Sequence, residues 1–140
     1  MDRYENNPQT YRNKANNRIM LLPDFYNIKQ IVSEGNTHTV AVRLNKQHPI
    51  YNGHFPGTPV TPGVCTLQVI KECAQEIVGY PLTTCNVASC KFVGMIIPDK
   101  HSDLAIRITL DKSEELWNCR AEVASEEAVL LKLKCTYRPK

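Results

Sequence analysis

The sequence predicts an α+β domain in which a mostly antiparallel sheet of five or six strands wraps around one long helix. Three observations carry that prediction. One segment, about Pro62 to Val78, has the length of a helix, and its apolar positions cover most of the circumference, so it belongs inside something. The segments around it alternate apolar and polar residues with the period of half-buried strands. The chain has 140 residues, 42% of them apolar and 22% charged, which suits one domain around one core.

Taken in order, residues 1–18 are polar, rich in Asn, Arg, Lys and Tyr, and without an apolar period. They are expected to form a flexible N-terminal arm outside a single domain spanning 19–140. Phe25 to Ser33 predicts a first strand, and Glu34-Gly35-Asn36 a turn. Thr37 to Leu44 sets Val40, Val42 and Leu44 against polar neighbours, as a second strand does. The helix follows, with Pro62 in its first turn and Gly79-Tyr80-Pro81 ending it. Asn86 to Val93 predicts a third strand and Ile96 to Asp99 a turn. Asp103 to Leu110, Leu116 to Ala124 and Ala128 to Tyr137 complete the sheet, with a hairpin turn at Ser125-Glu126-Glu127.

Composition excludes several classes of function. The net charge of +3 is mild, and no block of lysine and arginine marks a nucleic-acid stripe. No apolar run approaches the roughly 20 residues that span a bilayer, so membrane insertion is not expected. The six cysteines form no CxxC pair and no metal-ligand spacing. They read as reduced thiols, several of them small buried hydrophobes, in a cytoplasmic protein.

The densest local signal is His54-Phe55-Pro56-Gly57-Thr58-Pro59-Val60-Thr61-Pro62-Gly63-Val64. Its three prolines fix φ, and its two glycines permit close backbone approach, so the loop is built for one geometry. It feeds into the N-terminus of the helix, where free N–H groups favour an anionic or polarised oxygen. His54 has the unperturbed pKa near 6.5 that suits a general base. The backbone N–H of Gly63 lies where the helix begins and suits a carbonyl oxygen that gains charge. The remaining histidines are weaker candidates: His38 and His48 are expected at the surface and His101 in a solvated turn.

The motif, the helix as far as Gln75, and Lys91-Phe92 followed by Ile97-Pro98-Asp99 resemble the 3-hydroxyacyl-(acyl-carrier-protein) dehydratases, which have the hot-dog fold. The resemblance covers roughly residues 20–138. It implies a homodimer with two helices side by side and the sheets joined, and an active site at the dimer interface. It also implies an acidic acyl carrier protein as partner and no metal or organic cofactor, the substrate riding on phosphopantetheine. By the same resemblance His54 is the base, Gly63 N–H binds the thioester carbonyl, and Phe55 and Val64 contact substrate. Lys91, Lys100, Arg107 and Lys112 are candidates to border a tunnel mouth and meet the carrier.

At one position the chain departs from the family pattern. The family has a carboxylate on the helix fourteen residues after the histidine, and here that residue is Gln68. An amide orients a hydroxyl or a water but does not supply a proton as an acid. Glu72 lies one turn on and on the same helix face, about 5.4 Å along the axis. The two residue types therefore look exchanged relative to the family, and Glu72 is either a catalytic group acting through water or a carboxylate paired with a cation. Three readings follow: a dehydratase of 3-hydroxyacyl thioesters in fatty acid or related acyl-chain synthesis, a hot-dog acyl thioesterase, or a non-catalytic acyl- or carrier-binding subunit of a heteromer with a related dehydratase.

Overall fold

The computed structural model describes residues 24–53 and 59–140. Six strands, β1 (Tyr26–Glu34), β2 (Thr37–Leu44), β3 (Leu82–Phe92), β4 (Asp103–Ser113), β5 (Leu116–Ala124) and β6 (Val129–Pro139), form one sheet. Their order is β1-β2-β4-β5-β6-β3, and every neighbouring pair is antiparallel. The helix α1 (Gly63–Val78) is held by the sheet, which is the hot-dog arrangement the sequence predicts. The expected N-terminal arm, residues 1–18, lies outside the described residues, as do His54 and Phe55.

The core follows from alternation kept in register. Val40 stands opposite Ile106, Ile106 opposite Val123, Val123 opposite Leu131, and Leu131 opposite Phe92. The first four are buried, so one row of side chains crosses five strands on the inner face and ends at Phe92. Against such rows α1 lays Val69, Ile70, Cys73 and Ala74, all buried. Burying a Val or Ile side chain contributes about 1.5–3 kcal/mol. The rows are therefore the main source of stability, and a one-residue slip of any strand would turn its apolar side outward.

Several boundaries differ from expectation. The third strand begins at Leu82 and not at Asn86, because Leu82, Thr83 and Thr84 pair with Pro139, Arg138 and Tyr137. Its register then shifts between Thr84 and Asn86 and again between Val87 and Ser89, which hides any period of two from the sequence. Pro62 is the residue before α1, with φ −62° and ψ 140°, and not part of its first turn. A short 3-10 helix, Pro49–Asn52, precedes the motif loop and was not expected.

The histidines are also less exposed than predicted. His48 caps the 3-10 helix, its Nδ1 accepting from Ile50 N–H at 3.0 Å. His101 does the same for Ile97 N–H at 3.0 Å, and His38 shares a 2.7 Å bond with Ser33. The six cysteines are all free thiols, with Cys65, Cys73, Cys119 and Cys135 buried. No helix among the described residues is long and apolar enough to cross a membrane.

Candidate functional site

The N-terminal end of α1 is left open. No side chain caps it, and the first backbone donors with partners are Cys65 and Thr66, both to Pro62 O. Among the described residues nothing accepts from the N–H groups of Gly63 and Val64. Two unpaired amides at the positive end of a helix dipole form a site for a partly negative oxygen. Cys65, in the same turn, is no nucleophile: burial pushes its thiol above the ordinary value and keeps it protonated.

The lack of a side chain at Gly63 makes room for an aromatic ring. A Cβ there would lie 2.8 Å from Cε1 and Cζ of Phe92, so the ring of Phe92 rests on the glycine itself. The ring is carried to this place by the end of β3 and the inner-face row described above. Phe92 and Val64 stay exposed, at 58% and 73%, together with Val93 and Met95. The amides are thus flanked by apolar surface, where a hydrogen bond to a polarised carbonyl gains strength once water leaves.

The ends of the motif loop are tied down. Thr61 N–H donates to Ile96 O at 2.8 Å, and the hydroxyls of Tyr51 and Thr61 meet at 2.9 Å. Tyr51 stacks on Phe25 at a centroid distance of 6.0 Å, and His48 and Phe25 meet edge to face at 5.4 Å. Burial pushes the Tyr51 phenol above its ordinary pKa, so it stays a hydroxyl. Tyr51 and Thr61, ten positions apart in the chain and on either side of His54 and Phe55, are therefore joined by a buried hydroxyl pair.

Further along α1, Gln68 and Glu72 form one unit. Gln68 Nε2 donates to Glu72 Oε2 at 2.8 Å, and Tyr26 Oη donates to Glu72 Oε1 at 2.8 Å. Glu72 is buried, at 3% exposure, while Gln68 is half-buried. Both carboxylate oxygens thus accept hydrogen bonds, which offsets the cost of burying the charge. One N–H of the Gln68 amide is thus engaged with Glu72, and among the described residues no hydrogen bond takes up its Oε1 or its second N–H.

The structure therefore brings Gly63, Val64, Gln68 and Glu72 onto one helix. Tyr26, Phe92, Tyr51 and Thr61 are neighbours of the candidate site that sequence reading did not assign to it. Tyr26 lies 46 residues from Glu72 in the chain, and no local pattern points to it. Phe92 had a signal, because it stands in the Lys91-Phe92 pair of the family resemblance.

Comparison with known proteins bears on the same elements. The profile of the ApeI-like family, described as ApeI dehydratase, matches residues 30–129. The 3-hydroxyacyl-(acyl-carrier-protein) dehydratase FabZ of Nitrosospira multiformis is 31% identical over 120 residues, covering 76% of this chain and 80% of its own length. The enzyme of the same name from Dinoroseobacter shibae is 24% identical over 105 residues, 68% of this chain. That match spans 63% of the Dinoroseobacter protein. Among solved structures, the dehydratase heterocomplex ApeI:P from Xenorhabdus doucetiae superposes with a TM-score of 0.64 at 18% identity, covering 79% of this chain and 96% of that one.

Proposed function

Because the chain belongs to the ApeI-like family of dehydratases, we propose that it removes water from a 3-hydroxyacyl thioester carried on an acyl carrier protein, giving the trans-2-enoyl thioester. The observation that carries this reading is the pair of amides at Gly63 and Val64, which have no partner among the described residues and come directly after the loop that bears His54. The thioester carbonyl accepts from Gly63 N–H, which acidifies the neighbouring C2 hydrogen. His54 takes that proton, and the electron pair left on C2 becomes the new double bond to C3. The C3–O bond breaks, and the departing hydroxyl leaves as water with the proton that His54 carries. Gln68 holds the hydroxyl by hydrogen bonds, and Glu72 positions the Gln68 amide. Phe55 and Val64 line the path of the acyl chain. The residues need no metal or organic cofactor beyond the carrier's phosphopantetheine.

A homodimer fits the surface that this reading leaves open. Among the described residues β3 pairs on one edge only, with β6, and Val64, Val87, Phe92, Val93 and Met95 expose apolar side chains around it. An unpaired edge beside exposed apolar groups is a template for association. Free thiols at all six cysteines suit a reducing cytoplasm.

A second reading is favoured by one observation. The expected carboxylate is Gln68, and the Xenorhabdus neighbour is a dehydratase heterocomplex. In that case the chain serves a catalytic relative as a binding subunit. Incubating the purified protein with a 3-hydroxyacyl carrier protein, and following enoyl formation and thiol release separately, decides the matter. Enoyl product that falls about 10²- to 10⁴-fold in His54→Ala supports dehydration. Free thiol without enoyl supports a thioesterase. No product until a related dehydratase is added supports the subunit reading.

A further inference from the structure

Glu72 is a carboxylate 3% exposed within α1, and it is held from two sides. Gln68 reaches it from one turn back along the helix, and Tyr26 from the first residue of β1, each at 2.8 Å. The Tyr26 side chain is itself buried and belongs to the core cluster. A charge buried in this way costs stability that an apolar pair of similar volume does not. The dehydration chemistry uses the Gln68 end of this chain of hydrogen bonds and leaves the Tyr26 end without a role.

Tyr26 owes its place to an irregularity in β1. Tyr26 stands opposite Leu44, Ile28 opposite Val42 and Ile31 opposite Val40, and all six pack into the core. Two even-numbered residues and an odd one share a face because the register shifts between Ile28 and Gln30, where Lys29 is the extra residue. A bulge re-aims the side chains on one side of it, and here one of them is the phenol that meets Glu72.

These hydrogen bonds fix the direction of the Gln68 amide. Oε1 of Glu72 accepts from the phenol and Oε2 from Gln68 Nε2. With Oε1 tied to β1, the carboxylate does not rotate to release Oε2. Turning the amide over sets its carbonyl against Oε2, two acceptors with no proton between them. Gln68 therefore offers a ligand one acceptor, its Oε1, and one donor, its second N–H. A hydroxyl matches both, because it donates and accepts. A ketone only accepts, and leaves Oε1 unmatched.

We propose that Tyr26 is a positioning residue of this site: through Glu72 it locks the Gln68 amide, so that the site selects a 3-hydroxyacyl group over its 3-oxo counterpart. The proposal rests on the dehydration reading. Tyr26→Phe removes the phenol oxygen and keeps the buried ring. Side-chain amide NMR of Gln68, its signal identified by its loss in Gln68→Met, tests the lock without chemistry. One N–H proton is expected downfield of a free glutamine amide in the unaltered protein, and it returns toward the free position in Tyr26→Phe.

Unreactive amide-linked pantetheine analogues carrying a 3-hydroxybutyryl or a 3-oxobutyryl group test selection. The preference for the hydroxy analogue is expected to fall about tenfold in Tyr26→Phe, and kcat/KM on the 3-hydroxyacyl carrier protein by a similar factor. In Glu72→Leu, which removes the link, adding Tyr26→Phe changes neither quantity further. An unchanged Gln68 resonance or an unchanged preference in Tyr26→Phe overturns the proposal, as do losses that add in the double variant. A lower Tm with resonance and preference unchanged makes the phenol structural only. Failure of both analogues to bind the unaltered protein overturns the selection. If no enoyl product forms with any variant, the reaction reading fails, while the resonance and the analogue preference still decide the lock.

Discussion

The two ends of α1 are finished in opposite ways. At the C-terminal end Gly79 adopts φ +92°, and its N–H donates to Gln75 O at 2.8 Å. The Gln75 side chain reaches on to accept from Leu82 N–H at 3.0 Å, tying the helix to the start of β3. Backbone and side chain both close that end. At the N-terminal end Pro62 supplies no side-chain cap, and among the described residues nothing accepts from the amides of Gly63 and Val64, with an exposed phenyl ring on Gly63. A helix end without partners costs stability, and a fold tolerates it where the free groups have work to do. The closed end holds the fold, and the open end holds the candidate site.

Substitutions at matched positions separate the two roles. The largest effect is expected from Gly63→Ala. The added methyl meets the far end of the exposed Phe92 side chain, which swings away at little cost, and alanine suits a helix better than glycine. Thermal unfolding is therefore expected at or above the original Tm. Displacing the ring and crowding the amide lowers kcat/KM about 10- to 100-fold, and Phe92→Leu in the same chain restores part of the loss. A fall in Tm with unchanged turnover would mean that the open end is structural.

Gln75→Leu tests the closed end next. It leaves the buried N–H of Leu82 without its acceptor, which costs about 1–3 kcal/mol in denaturant unfolding. Because Gln75 Nε2 is buried without a hydrogen bond among the described residues, leucine recovers part of that penalty, and the lower half of the range is expected. Turnover per folded molecule stays the same. The smallest effect is that of Gly79→Ala, which forces a side chain into the left-handed region and costs about 1 kcal/mol, again without change in kcat. Together with Gly63→Ala this gives a double dissociation between two glycines of one helix.

Much of this contrast was legible beforehand. Gly79 before Pro81 reads as a helix stop, and Pro62-Gly63 after a proline-spaced loop reads as a helix start, because both depend on φ and on backbone donors. Likewise the alternation of Leu104, Ile106, Ile108 and Leu110 identified β4, although the strand runs three residues further, to Ser113, where it pairs with Leu116 across the hairpin. The start of β3 was not legible. Leu-Thr-Thr has no period, and it becomes a strand because Tyr137 to Pro139 lies alongside to accept its pairing.

By itself, then, the sequence determined what depends on near neighbours: which segments are strands, where the helix begins and ends, and that a histidine loop precedes free amides. The tertiary structure decided everything that joins distant residues. It alone sets β3 beside β6 at the edge of the sheet, lays Phe92 on Gly63, and gives Tyr26 to Glu72 so that the exchanged Gln68 and Glu72 act as one unit. The physical reason is that periodicity is a property of the local backbone, whereas strand order and register are chosen by the packing of the whole core.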